Sequence, residues 1–159
     1  MITDQKTNFL YLADSLRKDK YKIFSRKLEA LLFESNISYD WLIGTKDIWA
    51  VDFMPIQISK NEFVQFEYKP DYLYTKAELN SISNVNEICD SIGIKVKRSD
   101  VILDGGNIVR ANNKVILCDK VIFVNQNRYS RKELIRELHE LFQFYYHFQL
   151  THLRHREDS

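Results

Sequence analysis

The order of patterned segments along the chain is the feature that most constrains its fold. Apolar and alternating runs at about 39–43, 56–58 and 63–68 predict a strand and then a hairpin, and a helical pattern follows them. The same order of strand, hairpin and helix returns after residue 94. The two units share negligible sequence identity, so the repeat is one of architecture. It predicts an α/β fold with helices outside and strands inside.

Three helices are predicted from apolar periodicity. The first spans about residues 20–35, and its apolar stripe is expected to face the core. That stripe consists of Tyr21, Phe24, Leu28, Leu31 and Leu32. The second begins near Asn84 and the third near Ser130. Glu87 and Glu133 lie three residues after these positions, so both helix starts have the spacing of a capping box.

The remaining segments are predicted to be strands, turns and one long loop. Residues 9–14 are expected to form a strand or an ordered lead-in, and residues 70–81 an irregular loop. The later strands are placed at 94–97, 101–103 and 121–124, with a hairpin that joins 108–110 to 114–118 through Asn112 and Asn113.

Length and charge exclude several classes of protein. The 159 residues fit one domain, and a formal net charge of +1 provides no general attraction for nucleic acid or for a membrane surface. No apolar run approaches a membrane span, and the N-terminus lacks the pattern of a signal peptide. Cys89 and Cys118 are expected to be reduced thiols of a cytoplasmic protein, and neither is predicted to be a nucleophile.

The stretch from Asp47 to Pro55 contains the first candidate site. Trp49 and Asp52 lie three positions apart in an otherwise apolar run that turns at the proline. A buried carboxylate needs a partner, and a guanidinium both pairs with a carboxylate and stacks on an indole. We therefore predict a guanidinium pocket at these residues. The alternative is a buried tryptophan followed by an ordinary turn aspartate.

A second motif consists of Asp104, Gly105, Gly106 and Asn107, which follow a predicted strand. Paired glycines permit a positive-φ turn and a close approach of the backbone to a ligand. Alone, the motif indicates only a common turn. The Asp47–Pro55 and Asp104–Asn107 motifs each follow a strand and lie in successive units. Together they indicate a functional site more specifically than either motif does alone.

Together the two motifs resemble signatures of the agmatine deiminase and bacterial (Porphyromonas-type) peptidyl-arginine deiminase family. Residues 47–57 resemble its Trp-x-Arg-Asp-x-x-Pro signature, and residues 102–108 its Leu-Glu/Asp-Gly-Gly-Asn signature. The resemblance implies a five-bladed, pentein-like αβ-propeller, of which this chain supplies about two blades. It implies that Trp49 lines a guanidine pocket, that Asp52 binds the guanidinium, and that the Asp104–Asn107 motif supports the pocket.

The reaction that the resemblance implies is hydrolysis of a guanidinium to a ureido group with release of ammonia, without a cofactor. It requires a nucleophilic cysteine and a proton-shuttling histidine. The family carries these in a Gly-His-x-Asp segment and a C-terminal cysteine motif, and neither motif occurs in this sequence. Val51 also replaces the signature arginine. No catalytic residue is therefore assigned, and His139 and Cys118 match no catalytic motif.

The last residues of the chain depart from the repeated order of strand, hairpin and helix. We predict an N-terminal part of a deiminase propeller at 1–143 and a divergent, out-of-frame tail at 144–159. From Phe144 to Leu153 the tail is apolar on every side, which predicts a helix that buries itself by self-association. The histidines of this segment are His147, His152 and His155, and their spacing does not predict a metal site.

Four interpretations remain open at the level of sequence. The chain is an inactive N-terminal piece of a deiminase, a non-catalytic module that binds guanidinium, an interaction protein that associates through its tail, or an enzyme completed by a separate chain. The expected ligand is agmatine or an arginine-type guanidine, and the sequence does not decide between agmatine and peptidyl-arginine as substrate.

Overall fold

A computed structural model describes residue 2 and residues 6–111, 114–142 and 149–150, the last pair by backbone only. The strands are β1 (Leu10–Ala13), β2 (Tyr39–Leu42), β3 (Ile56–Ser59), β4 (Glu62–Glu67), β5 (Val96–Ile102), β6 (Ile108–Ala111), β7 (Lys114–Leu117) and β8 (Gln149–Leu150). The helices are α1 (Lys22–Glu34), α2 (Ala50–Phe53), α3 (Lys76–Leu79), α4 (Val85–Ser91), α5 (Lys120–Asn125) and α6 (Arg131–Phe142). The predicted α/β class is confirmed.

The described strands form three separate sheets, and none of them is closed. The first sheet pairs β1 with β2 in parallel. The second has the order β3-β4-β5 and the third the order β6-β7-β8. In both of these an antiparallel hairpin is followed by a strand that is parallel to the second hairpin strand. The architectural repeat predicted from the sequence is therefore present in these two sheets.

The main core lies between the two three-stranded sheets and the last two helices. Its largest fully buried side chain is Phe142, which stacks on Phe66 with the ring centroids 5.6 Å apart. The other members are Ile56, Ile58, Val64, Val101, Leu103, Val115, Leu117, Val121, Leu134, Leu138 and Leu141. A smaller cluster of Leu42, Phe53 and Ile88 connects β2, α2 and α4. One continuous core thus joins the second sheet to the third.

The prediction that the apolar stripe of α1 faces the core is only partly correct. Leu32 is buried, but the side chains of Phe24 and Leu31 are 56% and 58% exposed. The helix extends over nearly the predicted range, so periodicity located the helix but not the face that packs. The described part of the chain covers only the face that carries Ser25 and Leu32.

The segment 121–124 forms part of helix α5 and not the predicted strand. Its β-branched residues favour a strand locally. Tertiary contacts favour a helix instead, because Val121 and Asn125 lie four residues apart on one helix face and both are buried. The Asn125 amide accepts a hydrogen bond from Ile102 N–H at 2.9 Å and donates to the Ile102 and Val121 carbonyls at 2.8 Å.

Smaller differences concern segment ends and caps. The predicted strands 94–97 and 101–103 form the single strand β5, and the predicted loop 70–81 contains α3. Helix α4 begins after Asn84 as predicted, but the Asn84 side chain makes no capping hydrogen bond. The capping box of Ser130 and Glu133 is confirmed by reciprocal side chain to backbone bonds.

The tail prediction is wrong for Gln149 and Leu150, which form strand β8 beside β7 rather than a helix. The other tail residues, including His147, His152 and His155, lie outside the described residues, as does the predicted Asn112–Asn113 turn. No helix in the described part of the chain is long and apolar enough to cross a membrane.

We expect Asn125→Leu to destabilise the fold by about 2–5 kcal/mol. The variant keeps the side-chain volume but leaves the buried Ile102 N–H without its side-chain acceptor and removes the amide bonds to the Ile102 and Val121 carbonyls. Urea denaturation measures the change. The matched control is Asn127→Leu at an exposed position of the same segment, where we expect a change within about 0.5 kcal/mol. Equal stability of the two variants would contradict this account of the buried amide.

Candidate functional site

The stretch that was predicted to hold a guanidinium folds into a single helical turn, α2. The Asp47 side chain accepts hydrogen bonds from the backbone N–H groups of Ile48 at 2.6 Å and Trp49 at 3.5 Å, which turns the chain into the helix. Met54 N–H bonds to Ala50 C=O, and Pro55 has no N–H with which to continue the helix. Trp49 therefore precedes α2 and is 61% exposed, so the alternative interpretation of a buried tryptophan is wrong.

The glycine pair packs directly against α2. A Cβ atom on Gly105 would lie 1.8 Å from the Val51 carbonyl oxygen, a distance that no side chain tolerates. Neither Gly105 nor Gly106 has a positive φ, in contrast to Gly44 and Gly93. The positive-φ turn that paired glycines permit is not formed here, and Gly105 is needed because two stretches of backbone meet at this residue.

Asp52 and Gly106 are brought together across 54 positions of sequence. The Gly106 N–H donates to Asp52 Oδ1 at 3.0 Å. A Cβ atom on Gly106 would lie 2.5 Å from the same oxygen, so a larger residue here would displace the carboxylate from this position. The two motifs identified in the sequence therefore form one site in space, with the carboxylate held at one oxygen by a backbone N–H.

The electrostatic environment of Asp52 raises the pKa of its carboxyl group. Burial is the main cause, the Gly106 N–H acts in the opposite direction, and the negative charge of Asp47 raises the pKa further. The described residues place no lysine or arginine in an ion pair with Asp52. The site can therefore accept a cation with a gain in electrostatic energy.

Asp104 contributes a second carboxylate to the same region. Burial raises its pKa, the ammonium of Lys120 lowers it, and the charges of Asp52 and Asp71 raise it. Lys120 Nζ itself is paired with Asp71 Oδ1 at 2.9 Å. Asn107 Nδ2 donates to Asp104 Oδ2 at 3.4 Å, and this contact joins the two ends of the second motif.

Sequence reasoning missed Tyr68, Tyr72 and Lys120. The phenol oxygens of Tyr68 and Tyr72 are 3.1 Å apart, and the pKa of Tyr68 is raised chiefly by burial, with the charges of Asp104 and Asp52 contributing. A signal for Tyr68 was present in the sequence. It directly follows β4, Asp104 follows the parallel strand β5, and the carboxyl ends of parallel strands meet at one sheet edge.

The two cysteines show no sign of activation as nucleophiles. Cys89 is buried in α4, and burial raises the pKa of its thiol, which is the reverse of what a reactive thiolate needs. The Cys118 thiol donates to Asp119 Oδ1 at 3.7 Å. Among the described residues, no group of three or more His, Cys, Asp or Glu side chains could hold a metal ion.

A family model for the Porphyromonas-type peptidyl-arginine deiminases matches residues 7–157. The chain belongs to this family. The match runs through both motifs and past Phe144. No curated protein sequence matches the chain.

Solved structures with a similar fold include several deiminases. The C. jejuni agmatine deiminase has a TM-score of 0.62 at 15% sequence identity, and the match covers 91% of this family member and 53% of that chain. The agmatine deiminase of Enterococcus faecalis has a TM-score of 0.56 at 12% identity, with 90% and 50% coverage. At these identities the likeness shows a shared fold, and the chain spans about half the length of these structures.

We expect Gly105→Ala to destabilise this family member by at least about 3 kcal/mol, because the added methyl group overlaps the Val51 carbonyl and forces α2 away from residues 105–107. Gly93→Ala is the control. It has open space around the new Cβ atom, so it should cost only about 1–2 kcal/mol for its positive φ. Thermal or urea denaturation compares the two, and a smaller loss for Gly105→Ala would contradict the described contact.

Proposed function

We propose that this chain is the guanidinium-binding part of a deiminase fold, with Asp52 as the residue that pairs with the ligand. The observation that carries the proposal is the bond from Gly106 N–H to Asp52 Oδ1. It fixes the carboxylate, while Oδ2 accepts no hydrogen bond within the described residues. A fixed carboxylate with a raised pKa and no cationic partner suits a cation that supplies its own N–H donors.

The other predicted residues take supporting roles in this proposal. Trp49 offers an exposed indole three positions from Asp52, onto which a planar guanidinium can stack. The floor of the proposed guanidinium pocket is formed by Asp104, Gly105, Gly106 and Asn107. Gly105 and Gly106 let the backbone approach α2, and Asn107 holds the Asp104 carboxylate. Val51 replaces an arginine of the family signature, so no neighbouring cation of α2 competes with the ligand for Asp52.

We further propose that the sheets are about two blades of a five-bladed propeller and that these 159 residues alone do not catalyse the deiminase reaction. The similar structures include agmatine deiminases, one of them with substrate bound, and this supports a guanidine such as agmatine or arginine as ligand. The sequence carries neither a Gly-His-x-Asp segment nor a late cysteine motif. We also propose that the protein is cytoplasmic, as its two reduced cysteines suggest.

A second candidate function is catalysis after association with a separate chain that supplies the histidine and cysteine. The observation in its favour is that the chain spans about half the length of the similar structures. Ammonia release from agmatine, measured with the purified chain alone and after addition of a chain that supplies the histidine and cysteine, distinguishes the cases. We expect none from the chain alone, and release at an enzymatic rate would overturn the proposed inactivity but not the guanidinium site. Release only after the second chain is added would support the second candidate.

For the binding site we expect calorimetry to detect agmatine and arginine but not citrulline, in which a neutral ureido group replaces the guanidinium. Asp52→Asn should weaken binding by roughly 10- to 150-fold, because it removes a hydrogen bond to a charged group. Asp90→Asn is the control, since this exposed carboxylate lies on α4 and should leave the affinity unchanged. Equal affinity for citrulline, or unchanged binding by Asp52→Asn, would contradict the proposal.

The raised pKa of Asp52 also predicts how binding depends on pH. A guanidinium keeps its charge over the whole range, whereas the carboxylate must lose its proton before it can pair. Agmatine affinity should therefore be constant above the raised pKa and fall as the pH drops through it, approaching about tenfold per pH unit. Titration calorimetry across an acidic pH series measures the slope. The slope should vanish in Asp52→Asn, and a slope that persists there would assign the titration to another group.

A further inference from the structure

Gln65 of β4 connects the second sheet to the helical turn that carries Asp52. Its strand neighbours Val64 and Phe66 are buried in the main core, so Gln65 faces the opposite side of the sheet, toward α2. Gln65 Nε2 donates hydrogen bonds to the Phe53 carbonyl at 3.0 Å and to the Phe66 carbonyl at 2.8 Å. One side-chain amide therefore joins the end of α2 to β4.

Both carbonyl groups lie at interruptions of regular secondary structure. Phe53 is the last residue of α2, and a helix leaves its last carbonyl groups without partners inside the helix. Phe66 lies where the register of β4 and β5 shifts, between Gln65 and Glu67. The Gln65 amide thus bonds to carbonyl groups at the end of one element and at an irregularity of another.

The oxygen of the same amide is unpaired. Gln65 Oε1 is buried and accepts no hydrogen bond within the described residues. The reversed orientation of the amide would not help, because it would point the oxygen at two carbonyl oxygens. A buried acceptor without a donor costs free energy that an apolar side chain of the same length would avoid. Stability alone does not explain this oxygen, and such departures are typical of functional sites.

Helix α2 is a single turn, and so short a helix depends on its neighbours for its position. The Asp47 side chain fixes the start of this turn, the Gly105 backbone lies against its side, and Gln65 fixes its end. Movement of that end would change the distance from Gly106 N to Asp52 Oδ1, which is 3.0 Å. The contact made by Gln65 is therefore one residue away from the group that it affects.

We propose that Gln65 is a positioning residue. By holding the end of α2 on β4, its amide keeps the Asp52 carboxylate on the Gly106 N–H and so in the geometry that binds a guanidinium. The effect on ligand binding rests on the proposed function, whereas the placement of the carboxylate is a property of the chain without ligand.

NMR titration of the Gly106 amide proton measures this placement directly. An amide that donates to a carboxylate changes its chemical shift when the carboxylate gains a proton, so Gly106 should show a step at the pKa of Asp52. The part of the step that is lost in Asp52→Asn belongs to Asp52, and any remainder belongs to a neighbour such as Asp104. In Gln65→Met, which has a similar length and no amide, the Asp52 step should fall by at least about half, because a hydrogen bond weakens steeply as its geometry is lost.

Gln57→Met is the matched control. It makes the same substitution on the neighbouring strand β3, where Gln57 Nε2 bonds to the Lys60 carbonyl of a turn and not to α2. The Gly106 step should keep its full size in this variant. If Gln65→Met does not fold, Gln65→Asn replaces it. Asparagine keeps the amide but draws it back by one methylene from the Phe53 carbonyl, so the step should fall in the same way.

Calorimetry with agmatine on the same variants separates the positioning role from the proposed function. Gln65→Met should bind agmatine at least about fivefold more weakly, roughly the contribution of one hydrogen bond, and Gln57→Met should keep the wild-type affinity. If the Gly106 step behaves as expected but the wild-type chain binds no agmatine, the positioning role stands and the guanidinium site fails. A full step in a folded Gln65 variant, no step in the wild-type chain, or wild-type agmatine affinity in Gln65→Met would overturn the positioning role.

Discussion

The contact of α2 with residues 105–107 is the constraint on which the site depends. Gly105 brings its backbone against the Val51 carbonyl, and Gly106 donates its N–H to Asp52. A side chain at Gly105 would separate the two backbones, and one at Gly106 would displace the Asp52 carboxylate. Gln65 supports the same arrangement from β4, since its side-chain N–H donates to the Phe53 carbonyl at 3.0 Å. A backbone contact between distant segments therefore positions the carboxylate.

Asp52 and Asp104 differ in the charged groups that surround them. Asp104 has a resident cation in its neighbourhood, because Lys120, itself paired with Asp71, lowers its pKa against the effect of burial. Asp52 has only a neutral N–H and the further negative charge of Asp47. Burial without charge compensation destabilises the ionised form of Asp52, and a bound guanidinium would reverse that penalty. Because Asp104 has a cation nearby and Asp52 has none, we assign ligand binding to Asp52 and a supporting role to Asp104.

The sequence predicted several locally encoded features and missed features that depend on distant contacts. The capping box of Ser130 and Glu133 lies within one turn and was predicted correctly. Residues 121–124 were predicted to be a strand from their composition, but the three hydrogen bonds of Asn125 hold the segment as a helix. The pairing of the two motifs could be inferred from their spacing and resemblance. The role of the glycines could not, because it depends on which backbone lies opposite.

The three sheets contribute unequally to the hydrophobic core, and this affects how the protein unfolds. The second and third sheets contribute side chains to one buried cluster, so they must lose their packing together. The β1–α1–β2 unit contributes Leu42 to the small cluster with Phe53 and Ile88 and leaves much of α1 exposed. It can therefore detach in a sub-global opening at a fraction of the total unfolding free energy. That event would uncover Phe53 of α2, the helical turn that carries Asp52.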